Sequence, residues 1–326
     1  MYHIIINPAS RSGKGLKLWK EAIEPALHRE KLVYRSYFSR EAGDIEHITR
    51  EILTAHKERP ITLIILGGDG TVNEALQGMD DTSQAILGYI PTGSSNDLAR
   101  DLAIPREPLA ALELILHTGR AVPMAMGRLT YLDRYGEYPA GVSRKFAVSC
   151  GIGFDAAVCS EALYSKIKII LNKIGLGKLT YLGIALKQIL TAKAVSCKLS
   201  LDGAPPVNIR KILFIASMLH RYEGGGFMFC PDAEAYSGRF SLCSVGDISK
   251  GLILCALPTA FWGKHYFAKG VTPYRAASLQ IKTSAPLWVH TDGETPRKSA
   301  AIEITCLQNA IKIIVPQTGK DNALKS

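Results

Sequence analysis

No C-x-x-C pair occurs in the chain, and its seven cysteines, Cys150, Cys159, Cys197, Cys230, Cys243, Cys255 and Cys306, are scattered and odd in number. That pattern excludes a disulfide framework and a zinc site, and reads as buried thiols in a reducing cytosol. No uncharged apolar run is long enough to span a bilayer; the longest, residues 252–263, is short and interrupted by Pro258. The first residues lack a basic n-region and begin at once with the strand-like Ile4-Ile5-Ile6, so no signal peptide is expected. Internal repeats, low-complexity segments and nucleic-acid recognition motifs are missing too, so neither a solenoid nor a DNA or RNA partner is expected. Acidic residues are the scarcer charge, 29 against 39 Lys and Arg, and the resulting +10 favours an anionic partner such as an acidic membrane or a phosphorylated substrate. At 326 residues, 47% apolar and 21% charged, the chain is globular and long enough for two domains with separate cores.

What is present is organised around residues 61–76. Ile61-Thr62-Leu63-Ile64-Ile65-Leu66 is an uncharged, largely β-branched run that suits a central parallel strand covered on both faces. Gly67-Gly68-Asp69-Gly70-Thr71 follows, then Val72-Asn73-Glu74-Ala75-Leu76, where Thr71 with Glu74 three residues on matches a capping box. Strand, glycine turn and helix N-terminus together place unpaired N–H groups and a partial positive charge at one spot, which suits phosphate. Asp69 there would repel bare phosphate unless a cation lies between, so it points to a metal-nucleotide complex. The same spacing also fits a plain strand-to-helix turn with a solvated Asp.

Either side of this stretch the pattern alternates. Residues 2–6, 33–38 and 85–90 read as strands, residues 42–56 as a helix, and further helices are expected to begin at Leu16 and Leu98. The polar loops 7–15 and 91–97 precede those last two helices; the first is not a P-loop, because Gly13-Lys14 lacks the earlier glycine and is followed by Gly15. Alternation of this kind implies a doubly wound α/β domain, with ligands at the carboxyl ends of its strands. Beyond Ala121 the chain reads as strands (146–149, 197–201, 210–218, 239–245, 278–283, 287–291, 300–306 and 310–315), which implies an antiparallel, β-rich sandwich. The expected domains are 1–120, to which residues 308–326 return, and 121–307. The exception is the helical stretch 162–190, which holds five lysines and no acidic residue and fits either an anionic bilayer or an amphipathic helix with solvated lysines. Residues 261–267, Phe-Trp-Gly-Lys-His-Tyr-Phe, form a second aromatic and basic cluster of the same ambiguity.

With these stretches assembled, the sequence resembles the diacylglycerol kinase catalytic-domain family, in particular bacterial lipid kinases related to sphingosine and ceramide kinases. The resemblance is carried by Asn7-Pro8-Ala9-Ser10 with Gly13-Lys14, by residues 67–74, by Pro91-Thr92-Gly93-Ser94-Ser95-Asn96-Asp97-Leu98-Ala99-Arg100, and by Gly151-Ile152-Gly153-Phe154-Asp155-Ala156. Residues 175–182, Gly224-Gly225-Gly226 before Pro231-Asp232-Ala233, and Asp292-Gly293-Glu294 extend it over nearly the whole chain. It implies an NAD kinase-like nucleotide domain joined to a β-rich lipid-substrate domain, with the active site in the cleft. It further implies ATP held with Mg2+ by Asn7, Pro8, Ala9, Ser10, Ser39, Gly67, Gly68, Gly70, Thr71, Val72, Asn73, Ser94, Asn96 and Asp97. Asp69, Asp292 and Glu294 are then the catalytic acids, and the acceptor is a hydroxyl of a membrane lipid, diacylglycerol first among them, met transiently from the cytoplasm. Without the family pattern, an Asp-Gly-Glu turn is more often a plain hairpin tip.

Two departures from the family pattern matter. Ala125 or its neighbours and Ser237 stand where many members carry Asp in a carboxylate and Mg2+ network, so direct metal ligands are left unassigned. A nucleotide-binding regulator without catalysis and a kinase for a soluble acceptor remain as alternative readings, and a homodimer is left open.

Overall fold

In the computed structural model the described residues are 1–58, 60–164, 184, 187–189, 191 and 195–317. They divide into one compact unit of residues 1–126 with the described residues from 308 on, and another of residues 127–307.

In the first unit four strands run parallel: β1 (Tyr2–Ile6), β2 (Tyr34–Phe38), β3 (Ile61–Gly67) and β4 (Ala85–Pro91). Their order is β4-β3-β1-β2, with Ile4 opposite both Ser36 and Ile64 and Ile64 opposite Gly88. Ile4, Ile5, Ile6, Leu63, Ile64, Ile65 and Leu66 have almost no solvent contact, as expected where helices cover both faces of a parallel sheet. Helix Asp44–Ala55 buries Ile45, Thr49, Ile52 and Leu53, the i, i+4, i+7, i+8 stripe of a helix packed on one face. On leaving β1 the chain goes to β2 on one side, and β3 returns on the other. The order therefore reverses between β1 and β3, and ligands in such sheets sit outside the carboxyl ends at that point.

Two expectations differ from the fold. The first helix starts at Ser10, six residues before Leu16, and runs in short pieces to Arg29. Thr71 is not an N-cap, because helix Asp69–Gln77 is capped from Gly68 and Thr71 lies a turn inside it. Its hydroxyl reaches back to accept the Gly68 N–H at 3.3 Å, while Glu74 accepts from Gly43 N–H at 3.1 Å. Two turns of chemistry compete for one motif, and the glycine, with extended backbone and no Cβ, starts the helix earlier.

The second unit is antiparallel and β-rich, built of β5 (Gly119–Tyr131, of which Gly119–Met126 lie in the first unit), β6 (Ser143–Phe146), β7 (Ser149–Gly153), β8 (Val195–Leu201), β9 (Val207–Met218), β10 (Phe240–Gly246), β11 (Val271–Ala276), β12 (Ser278–Thr291) and β13 (Glu294–Pro316, which from Gln308 belongs to the first unit and pairs with β4). The sheet runs β11-β10-β9, then a lane shared by β7 and β8, then β12 and β13. β7 pairs with the far end of β9 (Cys150↔Ser217) and of β12 (Gly151↔His290), while β8 pairs with their near ends (Lys198↔Asn208 and Leu199↔Ile281). Predicted strands 278–283 and 287–291 are one continuous β12, and 300–306 with 310–315 are one β13. Residues 250–259, expected to carry no helix, form helix Lys250–Thr259 capped by the Ser249 hydroxyl; its strong apolar content hid the pattern. The helix Phe154–Tyr164 begins earlier than the predicted 162–190, most of which lies outside the described residues. Of that stretch, Lys187 and Gln188 hold Glu161 at 2.6 and 2.7 Å. Among the described residues no helix is long and apolar enough to cross a membrane.

Candidate active site

The loops that leave β1, β3 and β4 are fastened to one another. Asn7 Nδ2 donates to Thr71 Oγ1 at 3.1 Å, joining the first loop to the second. Thr92 Oγ1 donates to Ser10 Oγ at 2.9 Å and Thr92 N–H to Gly67 O at 2.7 Å, joining the third to both. Asn7 Oδ1 also accepts the Ala9 N–H at 3.1 Å, and Ser39 N–H donates to Ile6 O at 3.1 Å, so the turn after β2 opens on the same edge.

Asp69 is the strongest of these ties. Its Oδ2 accepts Asp97 N–H at 2.9 Å and its Oδ1 faces Leu98 N–H at 3.4 Å and Tyr89 Oη at 3.3 Å. A carboxylate at the first amides of helix Asp97–Asp101 is where the helix dipole favours it, so the residue that begins one helix also caps the next. Burial, reinforced by Asp69, pushes the Tyr89 phenol well above its ordinary range and keeps it a donor. Asn96 adopts a left-handed backbone, φ 52°, and accepts from Gly93 N–H and donates to Gly93 O, both at 2.9 Å.

Two glycines allow the second and third loops to meet. A Cβ on Gly93 would stand 2.7 Å from Gly68 Cα and 2.8 Å from Asn96 Oδ1. Because the first of these neighbours is backbone, Gly93→Ala is expected to cost about 1–3 kcal/mol of stability and to weaken ATP binding in parallel. Thermal melts and titration with a fluorescent ATP analogue check both halves of that outcome.

Of the other residues named from sequence, Pro8 and Ala9 sit beside Asn7, Ser94 is exposed between Gly93 and Asn96, and Gly70 lies in the first turn of its helix. Val72 and Asn73 turn inward: Val72 joins the core, and the buried Asn73 is tied to Gln77 along its own helix.

In the second unit Asp292-Gly293 is the two-residue tip of the hairpin from β12 to β13, with Thr291 opposite Glu294. Both tip residues have positive φ, 51° and 86°, the primed turn for which Asp-Gly is suited. The Asp292 side chain points back into its own unit, where Oδ2 accepts Ala147 N–H at 2.9 Å and Oδ1 accepts Val148 and Ser149 N–H at 2.8 and 3.0 Å. Asp292 N–H returns a bond to Ser149 O at 2.9 Å. The Asp292 carboxylate thus accepts three backbone N–H groups of its own unit, and Glu294, the other acid of the pair, is half-buried.

Sequence reasoning missed what lies beneath this tip. The wholly buried His290 places Nε2 3.2 Å from Asp155 Oδ2 and 3.0 Å from Glu223 Oε1, and its Nδ1 accepts the Gly293 N–H at 3.2 Å. Burial pushes the Asp155 carboxyl up, against the pull of His290. With the Nδ1 lone pair occupied by an amide, the ring proton is on Nε2, facing the two carboxyls. The trio has the donor set of a metal site, yet a ligating Nε2 must be bare and its ring usually donates from the other nitrogen. The arrangement is that of a proton-sharing prop for the hairpin tip. A Cβ on Gly151 would collide with Asp155 Oδ2 and His290 Nε2, so glycine is required there. The only sequence signal was Asp155 within the quoted Gly151–Ala156 motif; His290 and Glu223 had none.

For Mg2+ the relevant donors are oxygens in the first unit. Asp69 and Asp97 supply hard carboxylate oxygens beside the glycine turns, the donor type that suits a nucleotide-bound Mg2+. Ala125 is buried and Ser237 spends its hydroxyl on Glu234 O and Arg239 O at 3.0 and 3.1 Å, so neither position offers a carboxylate.

A parallel sheet with stitched polar loops at its carboxyl edge, followed by a β-rich unit with an acidic hairpin tip, defines an NAD kinase-like kinase fold. Residues 1–129 match the diacylglycerol kinase catalytic domain, and residues 148–315 match the YegS C-terminal NAD kinase beta sandwich-like domain. The chain belongs to the diacylglycerol kinase catalytic-domain family, and is an enzyme of the lipid kinase class. It is 26% identical over 317 residues to a diacylglycerol kinase of Mycobacterium tuberculosis, covering 97% of this chain and 95% of that one. It is equally 26% identical to a diacylglycerol kinase of Staphylococcus aureus, with 96% and 91% covered. A crystal structure of a diacylglycerol kinase from Bacillus anthracis superposes with a TM-score of 0.72 at 22% identity, covering 96% of both chains. Yeast NADH kinase, complexed with NADH, shares the fold at a TM-score of 0.51 and 10% identity, with 98% of this chain and 84% of that one covered.

Proposed function

We propose that the protein transfers the γ-phosphoryl group of ATP to a hydroxyl of a membrane lipid, most simply the primary alcohol of diacylglycerol. The observation that carries this reading is the set of three loops after β1, β3 and β4, locked together by Asn7, Thr71, Asp69 and Thr92 at the carboxyl edge of a parallel sheet. A bound nucleotide would meet the first-turn amides of helix Asp69–Gln77 beside Gly68 and Gly93, where no Cβ stands in the way of phosphate. Asp69 and Asp97 are the residues that would hold Mg2+, which neutralises phosphate charge when bound.

Glu294 takes the acceptor's proton as the lipid oxygen bonds to the γ-phosphorus and the bond from that phosphorus to the β,γ-bridging oxygen breaks, releasing ADP. Asp292 keeps the hairpin tip in place, and His290 with Asp155 and Glu223 supports it from below. Names of diacylglycerol kinases among the relatives support the choice of acceptor. On this reading the enzyme visits the membrane surface from the cytoplasm to reach its lipid acceptor.

The test is a screen with radiolabelled ATP in mixed micelles containing diacylglycerol, sphingosine, ceramide and a soluble acceptor such as NAD. A labelled phospholipid from diacylglycerol is the expected result. Label in NAD would reassign the acceptor, and ATP binding without transfer to any of them would leave a nucleotide-binding regulator.

A further inference from the structure

The aromatic cluster at residues 261–267 is held open to solvent by a rigid frame. After helix Lys250–Thr259 come two single turns, Ala260–Trp262 and His265–Phe267. Each ends on a large exposed ring: Trp262 is 67% exposed and Phe267 64%, with Phe261 at 44% and Leu254 on the preceding helix at 38%.

The frame does not let them fold inward. Gly263, at φ 65°, packs so closely on Pro231 that a Cβ would stand 2.9 Å from its ring. Lys264 N–H donates to Thr259 O at 3.0 Å. The buried His265 donates from Nε2 to Phe229 O at 3.1 Å, and Tyr266 Oη donates to the same carbonyl at 2.6 Å. Phe261 is the outer end of a file of rings that continues through Phe227, Phe229 and Phe214 to Phe154, with centroids 4.0, 5.5, 5.4 and 5.9 Å apart. Inner members of a core are thus spent on orienting outer members that face water, which is unusual for single exposed aromatics.

The charges around the rings choose the occupant. From Ile248 to Thr291 the sequence contains no Asp or Glu, and Lys264 and Lys269, flanking the second turn, are exposed. A second copy of the chain, meeting this patch through a two-fold axis, would set these lysines against their like. A bilayer with anionic lipids accepts both features, because Trp and Phe settle at headgroup depth while Lys meets lipid phosphate.

We propose that the turns Ala260–Trp262 and His265–Phe267 are the face by which the protein docks on an anionic bilayer, Trp262 and Phe267 entering the headgroup layer and Lys264 and Lys269 contacting its phosphates. The proposal rests on the lipid-kinase reading for its use, but docking is measurable without catalysis.

The experiment is co-sedimentation of the full chain with phosphatidylcholine vesicles, with and without phosphatidylglycerol, comparing wild type with Trp262→Ala/Phe267→Ala and with Lys264→Gln/Lys269→Gln. Wild type is expected to bind only the anionic vesicles. The aromatic variant should lose at least tenfold in partitioning, and the lysine variant should lose its preference for phosphatidylglycerol. Both variants should keep wild-type melting and wild-type phosphorylation of a short-chain, monomeric diacylglycerol, which separates docking from chemistry. Unchanged vesicle binding by the aromatic variant would overturn the proposal, as would a lipid-free wild-type dimer that this variant converts to monomer. If no lipid is phosphorylated by any form, the functional reading fails while the docking result stands by itself.

Discussion

Glu294→Gln is expected to lower kcat for lipid phosphorylation about 10²–10⁴-fold while leaving the KM for ATP within a few-fold of wild type. The range is that of a positioned general base, whose loss removes proton acceptance in the transition state and little ground-state binding. Glutamine matches the shape of the carboxylate at the first residue of β13, so the melting temperature should be unchanged. Steady-state kinetics in mixed micelles, with a thermal melt of the same preparation, reads both quantities. Wild-type kcat in this variant would leave the reaction without a side-chain base at the hairpin, and positioning of the hydroxyl would then have to carry the step.

Asp292→Ala should behave differently, losing stability and activity together. The substitution leaves the N–H groups of Ala147, Val148 and Ser149 without the carboxylate that joins them, and takes a turn-forming residue from a position with φ 51°. Hydrogen bonds to a charged acceptor contribute about 1.5–3 kcal/mol each, less than additively within one group, so a loss of about 3–5 kcal/mol follows. For a unit of this size each kcal/mol shifts the midpoint by about 2–4 °C, which places the expected fall near 6–20 °C. Asp292→Asn keeps the turn preference but presents one amide oxygen where two carboxylate oxygens stood, and should fall between. A variant that melts like wild type yet transfers no phosphate would move the base from Glu294 to Asp292.

These two acids show where reading the sequence stops. The Asp-Gly pair announced a hairpin, and the resemblance announced chemistry, but nothing in the linear order says that the Asp292 carboxylate turns back onto residues far earlier in the chain. The strands of the first unit were legible because β-branched runs between glycine turns have few alternatives, and parallel burial removes the ambiguity of alternation. Asp69 was legible as odd, since a carboxylate beside a phosphate loop asks for a reason; the reason found, capping helix Asp97–Asp101 through its first amides, depends on two loops meeting at Gly68 and Gly93. Helix Lys250–Thr259 was hidden because apolar residues on every side leave no period to detect. His290 and Glu223 were hidden more deeply, since a buried polar trio has no spacing rule of its own.

The lane shared by β7 and β8 carries a consequence for how such an enzyme diversifies. Both pieces are hydrogen-bonded on one side to β9 and on the other to β12, so each has its register set by two neighbours. A lane held from both sides tolerates a break, because β9 and β12 fix each piece independently of the other. A lineage could shorten or shift one piece of that lane while the flanking strands keep the other in place.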